Sequence, residues 1–208
     1  MITITEILQC EQYLADVDGV VFDLDDTLYG EKSYVRSGYR AVATCFPQIE
    51  RMEEKLWNAF ELRQPAIDVV MEAEGLCTQE NKTLAIETYR FHTPQLSLYP
   101  GVESLLARLK GQKRLGLITD GRPEGQRAKL KALQIEKYFD CIIVTDELGG
   151  PTYRKPNKTA FEMMQEALNV PFEKMVYIGD NTKKDFIAPQ ALGMQAIYFK
   201  NQDGLYTG

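Results

Sequence analysis

Short, uninterrupted apolar runs recur along this chain: Val20-Val21-Phe22, Leu115-Gly116-Leu117-Ile118, Cys141-Ile142-Ile143-Val144, Met175-Val176-Tyr177-Ile178 and Ala196-Ile197-Tyr198-Phe199. Each is too short for a helix and gives way to polar turn residues. Runs of this kind read as central strands of a parallel sheet, covered on both faces. Between the later runs lie amphipathic segments of helical length, Glu124–Leu133, Lys158–Leu168 and Lys183–Leu192. Strand, helix and strand in repeated succession predict an α/β fold, a doubly wound, Rossmann-like parallel sheet core.

From about Glu31 to Pro94 the pattern changes. No strand-like run occurs, and Pro47, Pro65 and Gly75 separate the helical stretches Lys32–Cys45, Ile49–Leu62, Ala66–Glu74 and Gln79–Phe91. The expected organisation is a core of residues 1–30 and 95–208 with an inserted α-helical cap of 31–94. A helical flank beside the sheet is the alternative. The cap is favoured because the insert follows a strand's C-terminal end, where doubly wound folds bind ligands.

Composition narrows the function. A formal charge of −6 argues against a broad nucleic-acid platform. With His92 as its one histidine, the chain has no two-imidazole zinc site. Cys10, Cys45, Cys77 and Cys141 are scattered, and read as buried thiols in a reducing compartment. No apolar run approaches a membrane span, and the first residues lack a signal-peptide pattern. The expected location is the cytoplasm.

The strand ends carry the chemistry. The first run leads into Asp23-Leu24-Asp25-Asp26-Thr27. Carboxylates packed this closely repel one another, and a bound cation relieves the repulsion; an all-oxygen ligand set favours Mg²⁺. Asp23 and Asp25 share a side if the chain stays extended, so one can attack while the other moves protons. An acidic turn with Asp26 as a helix N-cap accounts for the same residues. Thr119-Asp120-Gly121 could seat a phosphate, and also suits an ordinary strand–helix turn. Lys155-Pro156 precedes a helix that Pro156 would open, and Lys155 could supply charge near a developing anion. Asp180 sits at a strand tip within reach of a metal. Asp185, about one turn into the next helix, could orient Asp180 or Lys155. Asp16-Val17-Asp18-Gly19 also spells an acidic pair, but no buried strand precedes it, and it reads as a turn.

Taken together, Asp23-Leu24-Asp25-Asp26-Thr27-Leu28, Thr119-Asp120-Gly121, Lys155-Pro156 and Gly179-Asp180 with Asp185 resemble, in order, the four motifs of the haloacid dehalogenase superfamily of phosphohydrolases. Asn more often stands in place of Asp120. Leu98-Tyr99-Pro100-Gly101-Val102 resembles the family's return from cap to core. The likeness runs from about Val20 to Phe199, leaving roughly the first 19 residues outside it.

The resemblance implies a role for each residue. Asp23 is the nucleophile and forms an aspartyl-phosphate. Asp25 protonates the leaving oxygen and then activates water. Mg²⁺ is held by Asp23, the Asp25 backbone carbonyl and Asp180, with Asp185 in support. Thr119 and the Asp120 N–H bind phosphoryl oxygens, and Lys155 neutralises nucleophile and phosphate. A carboxylate at position 25 favours ester hydrolysis over dehalogenation, because an alkoxide needs a proton and a halide does not. The implied partner is a small phosphorylated substrate. Arg122 is the favoured substrate contact among Tyr29, Tyr34, Arg36, Arg40, Arg63 and His92, and His92 is read as structural.

The expected function is therefore a Mg²⁺-dependent phosphatase for a small phosphorylated metabolite. A phosphomutase of the same build is the alternative. A signalling module that merely accepts a phosphoryl group ranks below both, because such modules carry their acceptor Asp on a later strand and have no cap. Oligomeric state is not legible in the sequence.

Overall fold

The computed structural model describes residues 1–205. The chain forms two compact units, one of residues 1–31 with those from 97 onward, the other of residues 32–96. The strands are β1 (Ile2–Ile4), β2 (Gly19–Phe22), β3 (Arg114–Thr119), β4 (Cys141–Val144), β5 (Met175–Gly179) and β6 (Gln195–Phe199). The helices are α1 (Glu31–Cys45), α2 (Met52–Glu61), α3 (Ala66–Ala73), α4 (Gln79–Phe91), α5 (Val102–Lys110), α6 (Pro123–Leu133), α7 (Thr159–Leu168) and α8 (Ile187–Leu192).

The first unit is built on one sheet of order β1-β6-β5-β2-β3-β4. Every pairing is parallel. The chain steps from β2 through β3 to β4 on one side, then returns to lay β5 and β6 on the other. The reversal falls between β2 and β5, the switch point where the loops after two adjacent strands diverge and leave a crevice. All residues of β2 and β5 are buried, as a sheet covered on both faces requires. α7 turns Ala160, Phe161, Met164 and Leu168 toward Ile118, Ile143 and Tyr177 of the sheet. Each large apolar side chain buried in this way contributes about 1.5–3 kcal/mol. The place where a Cβ on Gly116 would lie is filled by the Met164 side chain, so β3 accepts α7 closely only with glycine there.

The helical unit has its own core, including Val35, Tyr39, Val42, Leu56, Val70 and Met71. His92 closes α4: its Nδ1 lies 2.7 Å from the Tyr89 carbonyl, and its ring packs at a tilt with its centroid 5.0 Å from that of Tyr34. That is the structural use expected of it. Arg40 engages Glu53 and Gln95, and the Arg36 guanidinium lies 4.2 Å over the Trp57 ring.

Several elements depart from the sequence reading. The first residues, placed in the core but read without any strand, carry one: β1 pairs with β6, matching Ile2 with Ile197 and Ile4 with Phe199, and a 3-10 helix (Ile7–Tyr13) follows. Ile4, Ile7, Cys10 and Leu14 are buried there. A three-residue edge strand has too few alternations to stand out as periodic. Pro156 does not open α7, because the Asn157 side chain accepts from the Thr159 N–H and sets the start later. The helix expected from Lys183 begins at Ile187, and Asp185 precedes it. There Asn181 accepts from the Lys183 N–H and Asp185 accepts from the Asn181 N–H, local bonds that compete with helix formation. Asp16 and Asp18 lie in the turn before β2, as read from the sequence. No helix among the described residues is long and apolar enough to cross a membrane.

The cysteines are not uniformly buried: Cys10 is, Cys45 and Cys141 are half-buried, and Cys77 is exposed. Burial pushes the Cys10 thiol up to about 12. Titration of the native protein with an aromatic disulfide reagent is expected to modify Cys77 within the first phase, and Cys10 only after denaturant is added. Rapid labelling of Cys10 would show that the N-terminal segment does not pack as described.

Candidate active site

The register of the central strands sets the site. Phe22 of β2 pairs with Leu117 of β3 and Ile178 of β5. Asp23, Thr119 and Asp180 therefore leave neighbouring strand ends within a residue or two of one level. The Asp23 N–H still donates to the Ile178 carbonyl at 2.8 Å, which fixes the start of the loop.

The three acids after β2 separate into different environments. Asp23 is buried, and Lys155 Nζ lies 2.5 Å from its Oδ1. Asp26 adopts a left-handed φ of 53° and turns away; its carboxylate accepts from the Glu31 N–H at the start of α1 and from the Leu205 N–H. It thus serves the start of α1 from five residues upstream rather than as the N-cap residue itself, while its neighbours do not. Asp25 is gripped by Lys129 Nζ at 2.7 Å, Gln126 Nε2 at 2.9 Å and the Tyr29 hydroxyl. Burial raises its pKa, but Lys129 and the bonds from Tyr29 and Gln126 outweigh that and hold it below the usual carboxylate range.

Lys155 is the centre of the arrangement. Its ammonium is fully buried and contacts Asp23, Asp185 at 2.9 Å and the Tyr177 hydroxyl at 2.8 Å. Burial alone would discharge it; Asp185 and Asp23 reverse the effect and hold it well above the ordinary lysine value. The Asp185 carboxylate passes over Gly179, where a Cβ would lie 2.5 Å from its Oδ2. Asp120 accepts from the Lys155 N–H and the Thr145 hydroxyl, each at 3.0 Å, and pairs with Lys184 at 2.8 Å. Burial opposes its ionisation, but Lys155 and Lys184 keep its pKa low.

A cavity of about 370 Å³ in the first unit brings Asp23, Asp25, Asp120, Lys155 and Asp180 together. Glu31, Gln126, Lys129 and Lys184 also line it and were missed in the sequence reading. Gln126 and Lys129 lie three positions apart on α6, a helical spacing that puts both on one face, but nothing local marks that face as turned to a site. Thr119 is fully buried and does not line the cavity; its hydroxyl accepts from Gln126. Arg122 is exposed and lies outside the lining. Asp185 sits behind the wall, bound to Lys155 and the Asn181 N–H.

Asp23, Asp180 and Asp185 form a buried cluster whose carboxylate oxygens approach within 4.8 Å of one another. Burial comes first in raising Asp180 to about 9, followed by repulsion from Asp23, Asp185 and Asp26. Burial likewise raises Asp23 to about 7 against the pull of Lys155. Acids pressed together at this cost fit a hard divalent cation. The side chain of Asp25, with three donors on it, is not part of the cluster.

The chain matches the model of the haloacid dehalogenase-like hydrolase family over residues 20–199 and belongs to that family. It is 27% identical to a glyceraldehyde 3-phosphate phosphatase of Methanocaldococcus jannaschii over 87% of this chain and 84% of that protein. It is 28% identical to a phosphorylated carbohydrates phosphatase of Thermotoga maritima, covering 88% and 84%. A T. maritima structure provisionally assigned as a β-phosphoglucomutase superposes with a TM-score of 0.64 at 26% identity, covering 88% of this chain and 84% of that one. Such family members generally use a divalent metal.

The raised carboxylates give a pH dependence with a definite sign. Below about 7 for Asp23 and about 9 for Asp180, protons compete with a cation for the same oxygens. Calorimetric titration with MgCl₂ is expected to show affinity rising as pH increases toward that range, with proton release visible as a buffer-dependent heat. Affinity that is flat between pH 6 and pH 9, with no proton release, would remove the acidic cluster from the binding site.

Proposed function

We propose that the chain is a Mg²⁺-dependent phosphatase that hydrolyses a small phosphorylated metabolite in the cytoplasm through an aspartyl-phosphate intermediate. The observation that carries this reading is the buried Asp23–Lys155 contact in the wall of the cavity that also holds Asp25 and Asp180. Lys155 offsets the charge of Asp23, so the carboxylate is held in place to meet an anionic phosphoryl group.

In the first step an Asp23 oxygen attacks phosphorus, the ester P–O bond breaks and the leaving oxygen takes a proton from Asp25. In the second, Asp25 takes a proton from water, the water oxygen attacks phosphorus and the Asp23–phosphorus bond breaks. A covalent carboxylate intermediate splits one displacement into two easier ones. Lys129, Gln126 and Tyr29 favour the ionised, base form of Asp25. The negative charge of an arriving phosphate ester favours the protonated form required first. Mg²⁺ would be held by Asp23, Asp180 and the Asp25 backbone carbonyl, with Asp185 in support, and would supply charge neutralisation at the phosphoryl oxygens. The Asp120 N–H is assigned to a phosphoryl oxygen, and Thr119, buried outside the lining, is assigned the part of holding Gln126 at the cavity wall. Arg122 keeps only the part of a peripheral substrate contact.

The relatives' names favour a phosphorylated carbohydrate or triose as the substrate class. The helical unit is assigned the part of a substrate-selecting cap. Unpaired thiols, one of them exposed, suit a reducing compartment. The mutase reading rests on the likeness to a β-phosphoglucomutase structure.

A panel of sugar and triose phosphates assayed with MgCl₂ is expected to release inorganic phosphate. Asp23→Asn should lower turnover at least about 10³-fold while leaving circular dichroism unchanged. Isomerised sugar phosphate without phosphate release would favour the mutase, and normal hydrolysis by the Asp23→Asn variant would remove Asp23 as nucleophile.

A further inference from the structure

The cavity wall carries an acid that the proposed reaction does not use as an acid. Asp120 has a side chain only 7% exposed, and it faces the space assigned to a phosphate. One of its oxygens, Oδ1, is shared by the Thr145 hydroxyl and the Lys155 N–H. The other, Oδ2, is held by Lys184 Nζ at 2.8 Å. Lys184 comes from the turn after β5, so this carboxylate ties together the loops that follow β3, β4 and β5. A bare carboxylate there would repel an arriving phosphate.

Five carboxylates line the cavity against four cations, so no cation is spare. Lys129 is committed to Asp25, Lys155 to Asp23 and Asp185, and Arg154 to Asp146 through a bidentate pair. Lys184 differs from them in its geometry. Its side chain keeps 32% exposure, and among the described residues its ammonium makes one hydrogen bond, to Asp120. An ammonium has three donors, so two remain for a ligand.

The two residues also constrain each other. With Asn at position 120 and its oxygen kept on Thr145 and Lys155, the amide N–H₂ would face Lys184, donor against donor. With an uncharged residue at position 184, Asp120 would keep a half-compensated charge on the cavity wall.

We propose that Lys184 and Asp120 act as one unit in phosphate recognition: Lys184 neutralises the Asp120 carboxylate and turns its remaining N–H donors to the phosphoryl group. The inference rests on the phosphatase reading above. Lys184 is thereby a phosphate-binding residue, and Asp120 positions both it and the Lys155 backbone. Unlike Lys155, which is locked between two acids, Lys184 has the freedom to follow the phosphoryl group as substrate binds and product leaves.

The test is a double-mutant cycle on inorganic phosphate binding, measured by calorimetry with saturating MgCl₂. Lys184→Met should weaken binding about tenfold or more, since it removes a charged donor and leaves Asp120 exposed to the ligand. Asp120→Asn added to Lys184→Met should recover about tenfold, because the uncompensated charge is gone. Lys184→Gln, a milder change, should follow the same order, and Lys184→Arg should retain most of the affinity. A lysine that only neutralised Asp120 would leave the double variant as tight as Asp120→Asn alone, whereas one that also touches phosphate leaves it weaker. Phosphate binding by the Lys184→Met protein equal to wild type, or a double variant no tighter than Lys184→Met, overturns the proposal and leaves the phosphatase reading intact. Wild-type protein that binds no phosphate under these conditions overturns both.

Discussion

A buried ammonium surrounded by acids is the interaction on which the rest of this molecule depends. Lys155 Nζ is removed from water and contacts Asp23 just after β2, Tyr177 in the middle of β5 and Asp185 in the turn beyond β5. An unpaired charge in such a place would cost several kcal/mol, so the partners and the lysine hold one another in place. The fold makes the meeting possible: a parallel sheet whose strand order reverses between β2 and β5 delivers these groups to one crevice.

Within that crevice, similar side chains are given different properties by their neighbours. Lys129, Gln126 and Tyr29 hold Asp25 low, whereas burial and neighbouring carboxylates, Asp185 among them for both, push Asp23 and Asp180 up. Asp120 is ionised because two lysines face it. Chemically identical acids thus hold different charge states within one cavity, the separation that the proposed division between nucleophile and proton carrier requires.

Much of this was legible in the sequence, and the reasons are specific. The central strands announced themselves because a parallel sheet buried on both faces demands continuous apolar runs such as Met175–Ile178. Asp23, Asp120 and Asp180 stood out because each directly follows, or lies close to, such a run, and Lys155 because Lys155-Pro156 precedes a helix. Gln126, Lys129 and Lys184 did not, because their contacts with Asp25 and Asp120 come from tertiary packing. In α6, Gln126 and Lys129 have the composition of any solvated helix face. β1 was invisible because three residues carry too little periodicity. The turn at Asn181–Asp185 displaced a helix start that amphipathic spacing alone put at Lys183.

The most direct measurement of the central claim is chemical trapping of the enzyme during turnover. The protein would be mixed with p-nitrophenyl phosphate and MgCl₂, quenched in acid, reduced with borohydride and digested for mass analysis. An acyl phosphate is reduced to the alcohol, whereas free carboxylates are not, so the account predicts reduction at Asp23 alone. Reduction at Asp25 or Asp180, or steady turnover with no reducible residue under conditions that trap acyl phosphates, would contradict it.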